Sequence, residues 1–244
     1  MNSPAAIILA AGCGRRLAGV ADDRPKGLIE LSGRSLVDRI LGLLHEREIR
    51  DVTLVTGFRR HLFQPLIERS GAREVINPEF AHTGTLRSLA LALDGLNKRE
   101  IVVIESDLFF DERGLDALLK APSPNVVLAS GPTGAGDEVW ICAPEGRVLG
   151  LSKTPSLLRS ADAEFVGLTR LSTELASALS DQNGETGSKE SSYDTDGLHR
   201  HCAAFDVRLC LLRDLLWGEI DDSSHLVRVR DHVHPAYLAS RRAL

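Results

Sequence analysis

Four short, nearly unbroken apolar runs punctuate the first half of the chain: Ala5 to Leu9, Val52 to Thr56, Ile101 to Ile104 and Val126 to Ala129. Runs of this length without polar alternation are expected to be strands buried on both faces. Between them the apolar spacing is helical. Leu36, Ile40, Leu43 and Leu44 form one stripe, Leu86, Leu89, Ala90 and Leu93 a second, and Leu115, Leu118 and Leu119 a third. Strands that alternate with helices need crossover connections, so the fold class is α/β, with a mostly parallel (mixed) sheet flanked by helices. The length of 244 residues suits one sizeable core in one domain.

After about Pro144 the pattern changes. "RVLGLSKT" and "AEFVGLTRLS" read as short strands and Thr173 to Leu179 as a helix. "DQNGETGSKESS", residues 181–192, is polar and rich in Gly and Ser, and reads as an exposed, mobile loop. Tyr193 to Leu216 is expected to be mostly helical, with Leu198, Cys202, Phe205, Leu209 and Leu212 facing a core.

Charge narrows the partners. With 29 Lys and Arg against 34 Asp and Glu, the chain has no electrostatic footprint for nucleic acid or an anionic membrane. Cys13, Cys142, Cys202 and Cys210 are scattered, without the paired spacing of a zinc site or disulfide framework. The apolar start lacks a basic leader and runs into Arg15 and Arg16, which is unlike a signal peptide, and no stretch approaches the roughly 20 apolar residues of a membrane span. A soluble, cytoplasmic protein with a small-molecule partner is expected.

The first apolar run passes directly into "LAAGCGRRL", residues 9–17. In a parallel sheet, ligands bind beyond the carboxyl ends of the strands, where main-chain N–H groups point outward. Ala10, Ala11, Gly12 and Gly14 leave that backbone bare, Arg16 adds a fork of donors and Lys26 a compact charge, a combination suited to a polyphosphate. A tight turn alone would also explain the glycines. The third glycine of a dinucleotide fingerprint is replaced by Leu17, and the GK[ST] end of a P-loop is absent.

"LAAGCGRRL" followed by "RPKGL" at 24–28 resembles the signature of the nucleotidyltransferases that activate sugar phosphates and small phospho-alcohols, and "IESDLFF" and "LLWGEIDD" follow in the expected order. Within that family the chain is most similar to the cytidylyltransferases for phosphocholine and for small phosphonates such as 2-aminoethylphosphonate. The resemblance implies a nucleotide-diphospho-sugar-transferase-like, Rossmann-like fold in one domain, with a nucleotide-binding half over about residues 1–144 and an acceptor-binding elaboration over about 145–244. It implies CMP transfer from CTP to a small phosphonate or phosphomonoester, with release of pyrophosphate and dependence on Mg2+. A homodimer is compatible with the family likeness alone.

The same resemblance implies roles for individual residues. Leu9, Ala10, Ala11, Gly12 and Gly14 would cradle the nucleotide, with Thr83, Thr85 or Ser88 of "HTGTLRSL" reading the base; Thr85 could equally be a helix cap. Arg16 and Lys26 would offset phosphate charge, and Lys153 would touch the transferred or acceptor phosphate unless it is a solvated surface lysine. Asp107 would hold magnesium, although an Asp at a strand end is commonly a cap or turn residue. Asp221 is the expected second ligand, with Asp222 capping the next helix. Glu164, Arg170, Tyr193, Asp194 and His199 are the acceptor-side candidates.

The acceptor stays open between a cationic head on an aromatic residue such as Tyr193 and, because "GLHRHC" clusters His199, Arg200 and His201, a fully anionic phosphonate such as phosphonoformate. Two other readings remain: a sugar 1-phosphate transferase using UTP, dTTP or GTP, and a non-catalytic nucleotide-binding regulator.

Overall fold

Strand β1 (Ala5–Ala10) lies inside the sheet of the computed structural model, which describes residues 3–17, 24–94, 96, 99–181 and 193–242. Its side chains alternate between two cores: Ala6, Ile8 and Ala10 join one apolar cluster, Ile7 and Leu9 the other. A small hairpin, β2 (Glu30–Leu31) and β3 (Arg34–Ser35), leads into α1 (Leu36–Glu46), whose first turn is capped by Ser35. Then come β4 (Val52–Thr56), α2 (Gln64–Ser70), β5 (Arg73–Ile76), α3 (Thr85–Leu93) and β6 (Ile101–Glu105). β1 is parallel to β4 on one side and to β6 on the other, and β4 is parallel to β5. The chain therefore winds outward to β5 and crosses back to β6, so the carboxyl ends of β1 and β6 flank a topological switch point, where such sheets bind ligands.

The second half extends the same sheet antiparallel. After β7 (Leu108–Phe110), α4 (Glu112–Lys120) and β8 (Val126–Ser130) follow β9 (Trp140–Cys142), β10 (Gly150–Ser152) and β11 (Ala163–Leu171). The order β10-β9-β11-β6-β1-β4-β5 is completed by β8, which pairs with β11, and by β12 (Arg208–Leu211), which pairs with β8. α5 (Thr173–Ser180) and α6 (Asp194–His201) share one core with α3; α1, α2 and α4 pack in the other. β13 (Trp217–Glu219) pairs with β7, and α7 (Ser223–Arg228) and α8 (His234–Arg242) complete the described chain. Among the described residues no helix is long and apolar enough to cross a membrane.

The expected strands appear at 5, 52, 101 and 126, each extended or matched by the observed element. The expected helix over Tyr193 to Leu216 ends at His201, and Leu209 lies in β12, paired in parallel with Val127 of β8. Covering the unpaired edge of β8 outweighs continuing a helix there. The loop expected over 181–192 lies, from 182 onward, outside the described residues.

Arg170 also departs from expectation. β11 runs antiparallel to β6, with Leu168 opposite Ile104 and Arg170 opposite Val102, so the six steps of chain from Glu164 to Arg170 lead about 20 Å away from the carboxyl edge. Arg170 is buried there and donates to the carbonyls of Leu119 (2.7 Å) in the last turn of α4 and of Ala121 (2.6 Å) and Ser123 just beyond it. We expect Arg170→Met to lose about 2–4 kcal/mol in urea unfolding while keeping its circular dichroism, because three carbonyls lose their donors. A loss under about 1 kcal/mol would show that water replaces the guanidinium at little cost.

Candidate active site

A cleft of about 420 Å³ opens at the carboxyl ends of β1 and β6. Its floor is the main chain of Leu9 to Gly14. Gly14 has φ +57, and a Cβ there would come within 3.1 Å of Lys26 Cγ, so this turn needs glycine both for its conformation and for the lysine stem. Leu9 is the register partner of Glu105, and Ser106 N donates to Leu9 O at 3.2 Å, which aligns the loop after β1 with the turn after β6.

Charge is concentrated on this floor. Lys26 Nζ lies 2.9 Å from Asp107 Oδ2 and also contacts Asp221, which Arg16 contacts in turn. Burial alone would weaken the Lys26 ammonium, but the carboxylates of Asp107 and Glu219 outweigh it, and its pKa is raised. Asp221 is only 3 % exposed, whereas Asp222 points away and caps α7, accepting from Ser224 N at 2.8 Å and His225 N at 3.0 Å. The two aspartates are thereby separated in role by one residue of chain. Glu219 is pushed up to about 7 by burial and then by the Asp107 charge, and Glu105 is raised by burial and by its acidic neighbours.

Asp107 and Asp221 stand at one end of the β7–β13 ladder. Leu108 pairs with Glu219, and Ile220 N donates to Asp107 O at 2.9 Å.

Thr83, Thr85 and Ser88 all line the cleft, but their hydroxyls differ in what remains available. Thr85 Oγ1 donates to Asp194 Oδ1 (2.7 Å) and accepts from Asp194 N (2.9 Å), which docks α3 on α6. Thr83 Oγ1 donates to Glu79 O and accepts from Asn77 Nδ2. Ser88 Oγ accepts from the same Asn77 amide at 3.0 Å and, among the described residues, has no acceptor for its own proton.

On the other wall, Lys153, Glu164, Tyr193 and Asp194 line the cleft. Lys153 Nζ lies 5.4 Å from the centre of the Tyr193 ring. Arg170 does not reach the cleft, for the reason given above, and neither does His199. α6 starts at the cleft and leads away from it, and the His199 ring packs on β10, with Nδ1 3.1 Å from Leu151 N and 3.0 Å from Leu151 O.

Sequence reasoning missed Glu105, Asp137, Glu219 and His225, all of which line the cleft. Glu105 and Glu219 had a local signal: each is a carboxylate two residues before an aspartate already singled out. Asp137 and His225 had none, since only the tertiary fold brings them to the floor.

Several known proteins are similar to this chain in sequence or fold. The chain is 30% identical over 234 residues to the CMP-5'-(3-aminopropyl)phosphonate synthase of Streptomyces rubellomurinus, covering 89% of this chain and 37% of that protein. It is 32% identical over 104 residues to the choline-phosphate cytidylyltransferase of Streptococcus pneumoniae, covering 43% of this chain and 45% of that one, so it spans less than half the length of these two relatives. Against the 2-aminoethylphosphonate cytidylyltransferase of Lancefieldella rimae it is 26% identical over 241 residues, covering 96% and 95%. The fold is similar to that of the inositol-1-phosphate CTP transferase from T. maritima, with a TM-score of 0.80 at 19% identity over 96% of this chain and 97% of the other. Residues 6–241 match the MobA-like NTP transferase domain, and the chain belongs to that family.

Proposed function

We propose that the chain is a cytidylyltransferase that moves CMP from CTP to a small phosphonate or phosphomonoester carrying a cationic group, releasing pyrophosphate. One observation carries the reading: Arg16 and Lys26 meet Asp107 and Asp221 where the bare glycine loop leaves β1. The cytidylyltransferase names of the relatives in S. pneumoniae and L. rimae support it.

An acceptor oxygen attacks the α-phosphorus in line with the departing pyrophosphate. A phosphomonoester's second ionisation lies near pH 6, so the nucleophile is mostly ionised at neutral pH and needs no general base. What remains for the protein is to position two polyanions and offset their charge. The loop's N–H groups and Arg16 are suited to the nucleotide phosphates, Lys26 to the reacting phosphoryl group, and Lys153 to the acceptor phosphate. Ser88, with its unused proton, is the hydroxyl best placed to read the base.

The floor also fits a hard divalent cation such as magnesium. Carboxylate oxygens of Glu105, Asp107 and Glu219 lie within 4.8 Å of one another, as do those of Asp137, Glu219 and Asp221. Bound there, magnesium would neutralise and order phosphate oxygens. We assign Asp107 and Asp221 as its principal holders, with Glu219 lying between the two groups.

A cationic acceptor is favoured by the buried Asp194, with Glu105 and the Tyr193 ring in the same cleft. The basic run that suggested phosphonoformate does not supply the wall, since His199 is bound to the Leu151 backbone.

A matrix of nucleoside triphosphates against 2-aminoethylphosphonate, phosphocholine, phosphonoformate and glucose 1-phosphate, read by mass spectrometry, should give CMP adducts of the cationic acceptors. Adducts of the sugar with UTP or dTTP would overturn the assignment. Lys26→Ala and Asp107→Asn are each expected to lower kcat about 100- to 1,000-fold; near-normal turnover would remove either from the mechanism. Thr85→Ala should cost about 1–2 kcal/mol of stability without changing nucleotide preference, because its hydroxyl is engaged with Asp194, whereas Ser88→Ala should relax that preference. The reverse pattern would exchange their roles.

A further inference from the structure

Between β8 and β9 the chain runs "GPTGAGDEV", residues 131–139, along the cleft. Thr133, Ala135, Asp137 and Glu138 line the cleft while Pro132, Gly134 and Gly136 are exposed, so alternate residues face inward as far as Asp137. Yet among the described residues no backbone group of 132–138 bonds another backbone group. Side chains from two other elements seat this segment instead. Glu164 of β11 accepts from Thr133 N (2.5 Å) and from Thr133 Oγ1 (2.9 Å), and His225 of α7 donates from Nε2 to Ala135 O (3.2 Å). Both are buried, at 2 % and 5 % exposure, so neither is a surface group that met the strap by chance.

One residue on the strap is only loosely engaged. Asp137 Oδ2 is buried without a hydrogen-bond partner, Arg16 Nη1 stands 3.7 Å from it, and His225 Nε2 stands 3.6 Å from Oδ1. An inward shift of roughly 0.8 Å would bring the arginine pair to normal length. The backbone can supply such a shift: Gly134 and Gly136, at φ +69 and +98 with open space where a Cβ would stand, bracket the point where His225 holds the strap.

We propose that residues 131–138 are a strap that closes over bound nucleotide, seated by Glu164 and His225 as positioning residues, and that closure brings Asp137 onto Arg16. The inference rests on the proposed function, which puts Arg16 on the nucleotide phosphates. Closure fixes that guanidinium from behind. Glu164, expected to touch the acceptor, is thereby reassigned to holding the strap. His225 ties the strap to the helix that follows Asp221, so strap and floor move together.

Hydrogen–deuterium exchange on the full chain, free and saturated with CTP and magnesium, reads the glycine loop (9–16) and the strap (132–138) separately. In the wild type both should exchange about tenfold more slowly when loaded. In Glu164→Ala the loop should keep its protection and the strap lose it, with kcat falling more than the nucleotide KM changes and Glu164→Gln lying between. His225→Ala should show the same split if Glu164→Ala does not fold. A protected loop beside an unchanged strap in the wild type, or a strap still protected in both alanine variants, overturns the strap and leaves the proposed function standing. A loop that gains no protection overturns the nucleotide reading, and closure over nucleotide falls with it.

Discussion

Carboxylates crowd the cleft floor, and their mutual repulsion is the constraint around which the site is organised. Asp107, Asp221, Glu219 and Glu105 come from strand ends far apart in sequence, and burial raises the cost of every charge among them. The ammonium of Lys26 lies between Asp107 and Asp221 and offsets that repulsion from within the protein. A buried ion pair of this kind is weak evidence for stability. Under the proposed function its value is a poised arrangement: acids ready for an incoming cation, and bases ready for incoming phosphate. Glu219 illustrates the balance, since its shift to about 7 leaves its proton finely dependent on what else occupies the floor.

The sheet brings these groups together by topology. The switch point between β1 and β6 leaves their carboxyl ends side by side, and the pairing of Leu9 with Glu105 sets the height of the glycine loop against the acidic turn. Antiparallel β11 then enters from the same edge, so its first residues reach the cleft and its last do not. Orientation separates Glu164 from Arg170 on the same strand more decisively than residue type does.

The buried strands were legible because apolar runs covered on both faces need no tertiary information to be recognised. β5 and β12 were not, because both are partly exposed and mixed in composition. The glycine loop, Lys26, Asp107 and Asp221 could be picked out because local motifs carry them, and the structure gathers them in one cleft. His199 and Arg170 were misplaced because sequence proximity to a motif says nothing about which way a helix or strand leads from it. Asp137 was invisible for the opposite reason: a Gly-rich segment reads as an ordinary loop until the residues it covers are known.

The β7–β13 ladder joins residues more than a hundred positions apart, and its pairing of Leu108 with Glu219 holds Asp107 beside Asp221. Loop-closure entropy grows only slowly with length. Insertions and deletions in the loops between the strands of the intervening span therefore leave the spacing of the two aspartates untouched, provided the three-residue clasp keeps its register. That span carries Lys153, Glu164, Tyr193 and Asp194, which line the cleft. Such an arrangement lets loop changes reshape the cleft wall while the acidic floor keeps its geometry.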